Sequence, residues 1–107
     1  MKSVPIKLDK QRSLRYSNNA IMLFEDTTGI SLIGNSNNEP DFTFRQSLTL
    51  IWAGLYHEDK TLTVEDVADL IDDYSDIETV MTTAEKALML AFEGKSKKNN
   101  QNNNHPK

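Results

Sequence analysis

His57 is followed directly by Glu58 and Asp59, so an imidazole and two carboxylates stand together at one point of the chain. That pairing is the raw material of general acid–base chemistry. A working site also needs a nucleophile and a group to hold developing negative charge. The chain has no cysteine, and its second histidine, His105, stands in a polar terminal run. The serines therefore lack a further histidine to activate them. Gly29, Gly34, Gly54 and Gly94 are too scattered to cradle a phosphate. We expect no catalytic residue, and His57 reads as a solvated cap at a helix end.

Two other chemistries are suggested by the residues after His57. The stretch HEDKTLTVEDV is rich in oxygen ligands, but a calcium loop needs glycine at its sixth position and glutamate at its twelfth. Counted from His57, those positions hold Leu62 and Ala68; counted from Asp59, the twelfth is Leu70. No metal and no cofactor is expected. The stretch TVEDVADLIDDYSDIETVM has the outline of a DNA-binding helix pair, with Ala68 at the small-residue position. Its second helix opens Asp76-Ile77-Glu78 and has no basic residue before Lys86. A polyanion needs lysine and arginine at that surface, so no nucleic acid partner is expected.

The 107 residues form one domain, 37% hydrophobic and 26% charged. No apolar run approaches the roughly 18 residues of a membrane span, and the start, MKSVPIKLDKQ, lacks the apolar stretch of a secretory signal. Without cysteine there are no disulfides, which fits a reducing cytoplasm. The net charge of −4 hides three zones. Residues 1–17 hold five cations against Asp9. Residues 58–78 hold nine acids against Lys60. Residues 95–107 hold four lysines and no acid. The middle zone repels nucleic acid and suits basic partners.

The elements follow from periodicity. Val4, Ile6 and Leu8 alternate, Asp9-Lys10-Gln11 reads as a turn, and Leu14 and Tyr16 resume the alternation. That predicts a β-hairpin over residues 3–17, with Pro5 at an edge. Asn18 or Asn19 caps a helix with Ile21, Leu23 and Phe24 inside, stopped by Gly29. Residues 34–41 are loop by composition. Thr43 and Gln46 form a capping box for a helix whose stripe is Phe44, Leu48, Ile51 and Leu55, with Trp52 alongside. Gly54 within it implies a close neighbour, most simply another helix. Thr63 caps the next helix, with Val64, Val67, Leu70, Ile71 and Tyr74 inside. Ser75 to Glu78 is a further capping box, before Ile77, Val80, Met81, Ala84, Leu88 and Ala91; Gly94 closes that last helix. The expected fold is mainly α with a small N-terminal β-hairpin, an α+β arrangement of about four helices around one core. Residues 1–94 make the folded domain, helical over 19–93. Residues 95–107 make a disordered Lys/Asn-rich tail, because they have nothing apolar to bury.

Phe44, Leu48, Trp52 and Tyr56 on one helix, with Asp66, Asp69 and Asp73 on the next, are the candidate partner-binding residues. The same aromatic side chains also read as core.

One set of residues carries a resemblance. In order it comprises Leu14-Arg15-Tyr16, Asn19-Ala20, Phe24-Glu25, Thr28-Gly29-Ile30-Ser31-Leu32, Ile51-Trp52-Ala53-Gly54-Leu55, His57-Glu58-Asp59, Leu62-Thr63, Glu65, Val67 and Leu70-Ile71-Asp72. With this order and spacing, the chain resembles the tail assembly chaperones of long-tailed, siphovirus-type bacteriophages and prophages of Gram-positive bacteria, the counterparts of the lambda-type tail chaperone. The resemblance spans about residues 4 to 93. It implies a non-enzymatic protein of the host cytoplasm, absent from the mature virion. Such a protein binds the tape measure protein, keeps it soluble and helps tail-tube protein assemble around it. It also implies, as partners, the major tail protein and a longer frameshifted form of the chain itself. Self-association into a homo-oligomer is expected; a membrane partner is not. The alternative is a small head–tail connector or tail-completion protein, which would remain in the particle.

Overall fold

The computed structural model describes residues 2–33 and 42–104, with side chains as far as Glu93. The loop read over 34–41 and residues 105–107 lie outside the described residues. The fold is mainly α with a small N-terminal hairpin.

Strands β1 (Val4–Lys7) and β2 (Gln11–Leu14) pair antiparallel, with Val4 opposite Leu14 and Ile6 opposite Arg12. Alternation buries Val4, Ile6 and Leu8 along the first arm and Leu14 and Tyr16 along the second. Gln11, expected in the turn, already belongs to β2. The buried face also takes Arg12, which sequence composition had counted only as one charge of a basic zone. Arg12 is 6% exposed, and its Nε and Nη2 donate to the two carboxylate oxygens of Asp9 at 2.8 and 3.0 Å. The two-pronged bond lets a guanidinium lie on an apolar face without an unpaired charge.

Helix α1 (Asn18–Thr28) is capped by Ser17, one or two residues before the asparagines expected there. The Ser17 hydroxyl accepts from the Ala20 amide. Starting one step earlier keeps Ala20, Ile21 and Phe24 on the buried side. Gly29 ends α1 as expected, at φ 78°, with its N–H donating to the Glu25 carbonyl at 2.7 Å. The chain then turns back sharply. Glu25 accepts the Leu32 amide at 3.0 Å, and the Phe42 ring meets Phe24 with centroids 5.5 Å apart.

Helix α2 (Phe44–Leu55) opens with the expected capping box of Thr43 and Gln46. From Leu48 onward it is buried on nearly all sides, with Leu50, Ile51, Ala53 and Leu55 all inside, because it touches α1, α3, α4 and β2. A single stripe was therefore too narrow an expectation. Its first member, Phe44, is 65% exposed, because the first residue of α2 lies beyond the body of the core.

Helix α3 (Val64–Tyr74) carries a second capping box, Thr63 with Asp66. Val67 and Ile71 are buried, but Tyr74, expected inside, is 55% exposed in the last turn. Helix α4 (Ile77–Asn104) is capped by Asp76, whose carboxylate accepts from the Thr79 amide and hydroxyl at 2.9 and 2.8 Å. The box expected from Ser75 to Glu78 is thus one residue out of place. Ser75 instead finishes α3, its N–H donating to the Ile71 carbonyl. The helix also runs through Gly94 to Asn104, past the expected boundary. Glycine weakens a helix by about 1 kcal/mol relative to alanine but does not forbid it, and no proline interrupts the run before Pro106. Val80, Ala84 and Ala87 line the buried side of α4, which lies against α2 and β1.

Candidate partner-binding surface

His57, Glu58 and Asp59, the residues with the most chemical potential, tie the hairpin to the end of α2. The His57 Nε2 lies 2.9 Å from the Ser13 carbonyl oxygen. A carbonyl only accepts, so Nε2 carries the proton there. Glu58 accepts from both the amide and the hydroxyl of Ser13, at 3.1 and 2.8 Å. Asp59 accepts from the amide and hydroxyl of Thr61 and so closes the turn toward α3. His57 is a clamp on β2 rather than the solvated cap expected from sequence. Trp52 makes a parallel tie: its indole N–H donates to the Leu62 carbonyl at 2.8 Å, and its ring meets Tyr56 edge-on at 5.3 Å.

Gly54 shows why the clamp fits. A Cβ there would stand 2.7 Å from Cζ of Tyr16 and 2.9 Å from Leu14 Cδ2. The close neighbour is thus the hairpin, not the helix expected. The Arg15 amide donates to the Gly54 carbonyl at 3.0 Å, and the Tyr16 hydroxyl to the Leu50 carbonyl at 2.7 Å. Burial pushes the Tyr16 phenol well above its ordinary range.

The candidate binding residues separate into three environments. Phe44 and Leu48 stand over a groove of about 300 Å³ with Ala68, Ile71 and Ile77, rimmed by Asp72 and Asp76. Asp69 and Asp73 are exposed on the adjoining helix α3, while Asp66 is held in its capping box. Leu48 is buried, so Phe44 is the apolar side chain of this pair that reaches solvent. Trp52 belongs to the tie just described. Tyr56 faces a different cleft, of about 330 Å³, between the start of α1 and the end of α2. A third, apolar depression of about 420 Å³ opens between α2 and α4, lined by Leu32, Phe42, Leu50, Met81, Leu88 and Phe92. The sequence reading missed it. The signal was available in the methionines, because flexible thioethers suit surfaces that accommodate partners.

Among the described residues, four carboxyl groups are held below their ordinary range. Asp9 is lowered chiefly by the side-chain bond from Arg12, Asp59 by the Thr61 hydroxyl, Glu65 by Arg45, and Asp76 by the Thr79 amide. A carboxyl lowered in the folded state stabilises it when ionised. That contribution is complete above the ordinary values, 3.8 for aspartate and 4.5 for glutamate, and is lost as pH falls through the lower folded values. Urea midpoints are therefore expected to fall as pH drops below about 4.5, and Asp76→Asn to make that acid slope shallower. An unchanged slope in Asp76→Asn removes the cap from this account.

Among the described residues, no three histidine, aspartate or glutamate side chains come together as a metal-binding group, and no helix is long and apolar enough to cross a membrane. No protein-family model matches the sequence, and no curated protein or solved structure shows significant similarity to it.

Proposed function

We propose that the chain is a tail assembly chaperone whose client is the tape measure protein of a long-tailed phage or prophage. It works without catalysis, in the host cytoplasm, and leaves before the particle is complete. The observation that supports this reading is the acid-rimmed apolar groove at Phe44. Its floor of Leu48, Ala68, Ile71 and Ile77 suits the apolar face of a helix, and Asp72 and Asp76 suit basic residues flanking that face. A tape measure protein is a long helical rod that exposes apolar faces until the tail tube surrounds it. Covering such faces requires an open groove rather than an enclosed pocket. Repetition along the rod supplies avidity, so each groove needs only modest affinity.

The test uses Phe44→Asp. Phe44 is the first residue of α2, where a negative charge favours the helix N-terminus. Stability should change by no more than about 0.5 kcal/mol, as for other surface substitutions. Capture of a tape measure fragment by the purified chain should be lost. Full capture by a folded Phe44→Asp variant moves the client to another surface.

A further inference from the structure

The groove at Phe44 and the depression between α2 and α4 follow one another along α4. Ile77 lines the first, and Met81, one turn further on, begins the second, which continues past Glu85 and Leu88 to Phe92. Phe44 lines the first and Phe42, two residues away, the second. Each also presents a large apolar side chain to solvent: Phe44 and Met89 are both 65% exposed. Among the described residues, every ionisable side chain lining either one is an acid, Asp72 and Asp76 at the first and Glu85 at the second. All three acids are exposed, and the cap bonds of Asp76 leave its charge in place. The cleft at Tyr56 is the contrast, with Arg15, His57 and Lys60 in its lining.

We propose that the two depressions form one track, and that its occupant is a basic amphipathic helix of about four turns. From Ile77 to Phe92 α4 rises by about 22 Å, which matches about 15 residues of a helix laid alongside it. The apolar face of that helix covers Phe44 at one end and Met89 at the other. Lysines or arginines bordering the face meet Asp72, Asp76 and Glu85. The proposal rests on the chaperone reading for the identity of the client, and it adds the length and charge pattern of the segment bound. A second copy of this chain is the poorer occupant, because it brings a net charge of −4 and the same acidic track against these acids. An acidic helix with the same apolar face meets like charge along the whole track.

The probe is a fluorophore-labelled designed helix of about 16 residues, with leucine at every third or fourth position and lysines bordering that face. It is titrated with the full chain and followed by anisotropy, and saturable binding is expected. The same peptide with glutamate for lysine should bind about tenfold more weakly or worse, as should the basic peptide with glutamine for the leucines of one half. Met89→Asp and Glu85→Lys, at exposed positions on α4 that do not threaten folding, should weaken the parent peptide about tenfold and several-fold. Phe44→Asp should act as Met89→Asp does. Asp26→Lys, exposed on α1 outside both depressions, should leave binding essentially unchanged. The proposal is overturned by absence of saturable binding, by equal binding of the glutamate peptide, by equal weakening in Asp26→Lys, or by full binding in Met89→Asp where Phe44→Asp abolishes it. Self-association of the chain alone in sedimentation velocity, abolished by Met89→Asp, also overturns it and gives the track to a second copy. Capture of a tape measure fragment that survives Met89→Asp and Glu85→Lys rejects the track and keeps the chaperone reading. The expected peptide pattern from a chain that captures no tape measure fragment keeps the track and rejects that client.

Discussion

Gly54→Ala is expected to destabilise the protein even though alanine is the better helix former. Helix propensity alone favours the alanine by about 1 kcal/mol. The methyl group, however, would be 2.7 Å from the Tyr16 ring and 2.9 Å from both Leu14 Cδ2 and the Tyr16 hydroxyl. Tyr16 is 2% exposed and has no room to withdraw. Overpacking of this kind costs about 1 to 3 kcal/mol. Any displacement of Tyr16 also loosens its bond to Leu50 and the Arg15–Gly54 bond beside it, each contributing about 1 kcal/mol. The net expectation is a loss of about 1 to 3 kcal/mol in urea unfolding. A variant more stable than the parent would mean that the hairpin does not press on α2 as described.

Trp52→Ala should have the larger effect, about 3 kcal/mol. That value lies at the low end for removal of a large aromatic residue because Trp52 is half-buried. The substitution removes the indole bond to Leu62, which fixes the turn into α3, and the edge-on contact with Tyr56. Trp52→Phe separates the two contributions. It keeps an aromatic ring but loses the N–H bond and part of the ring area, so an intermediate loss of about 1 to 2 kcal/mol is expected. A Trp52→Ala variant of parental stability that no longer holds the tape measure protein would return Trp52 to the binding surface.

The local features of this fold could be read from the sequence. Thr43 with Gln46 and Gly29 after α1 are signals confined to one turn, and each stands where its residue type indicated. The hairpin was legible for the same reason, since a period of two on either side of a polar link has few other realisations. Ambiguity appeared where adjacent residues compete for one role. Ser17, Asn18 and Asn19 are all good caps, as are Ser75 and Asp76, and only the burial required downstream selects among them. What could not be read was long-range. Periodicity indicates that a side of α2 is covered, but not that the hairpin covers it at Gly54. Nor does it place Ser13, more than forty positions away, against His57 and Glu58. Arg12 was missed although Asp9, three residues earlier, was a visible partner, because a basic residue on a strand is ordinarily read as solvated.

The candidate site was legible in part. Phe44 does stand exposed over a groove with an acidic rim, in which Asp72 and Asp76 take the place expected of Asp66, Asp69 and Asp73. Trp52 and Tyr56 belong elsewhere, because four residues of helix carry the chain from the groove to the clamp. The cleft at Arg15 was not anticipated, since periodicity does not show that the end of β2, the start of α1 and the end of α2 meet there.

The chaperone reading is tested most directly by producing the tape measure protein in cells with and without this chain and measuring how much remains in the supernatant after lysis. The tape measure protein is expected to be insoluble alone and to become soluble, in a complex that can be isolated, when the chain is present. A tape measure protein that stays insoluble beside abundant, folded chain would contradict it.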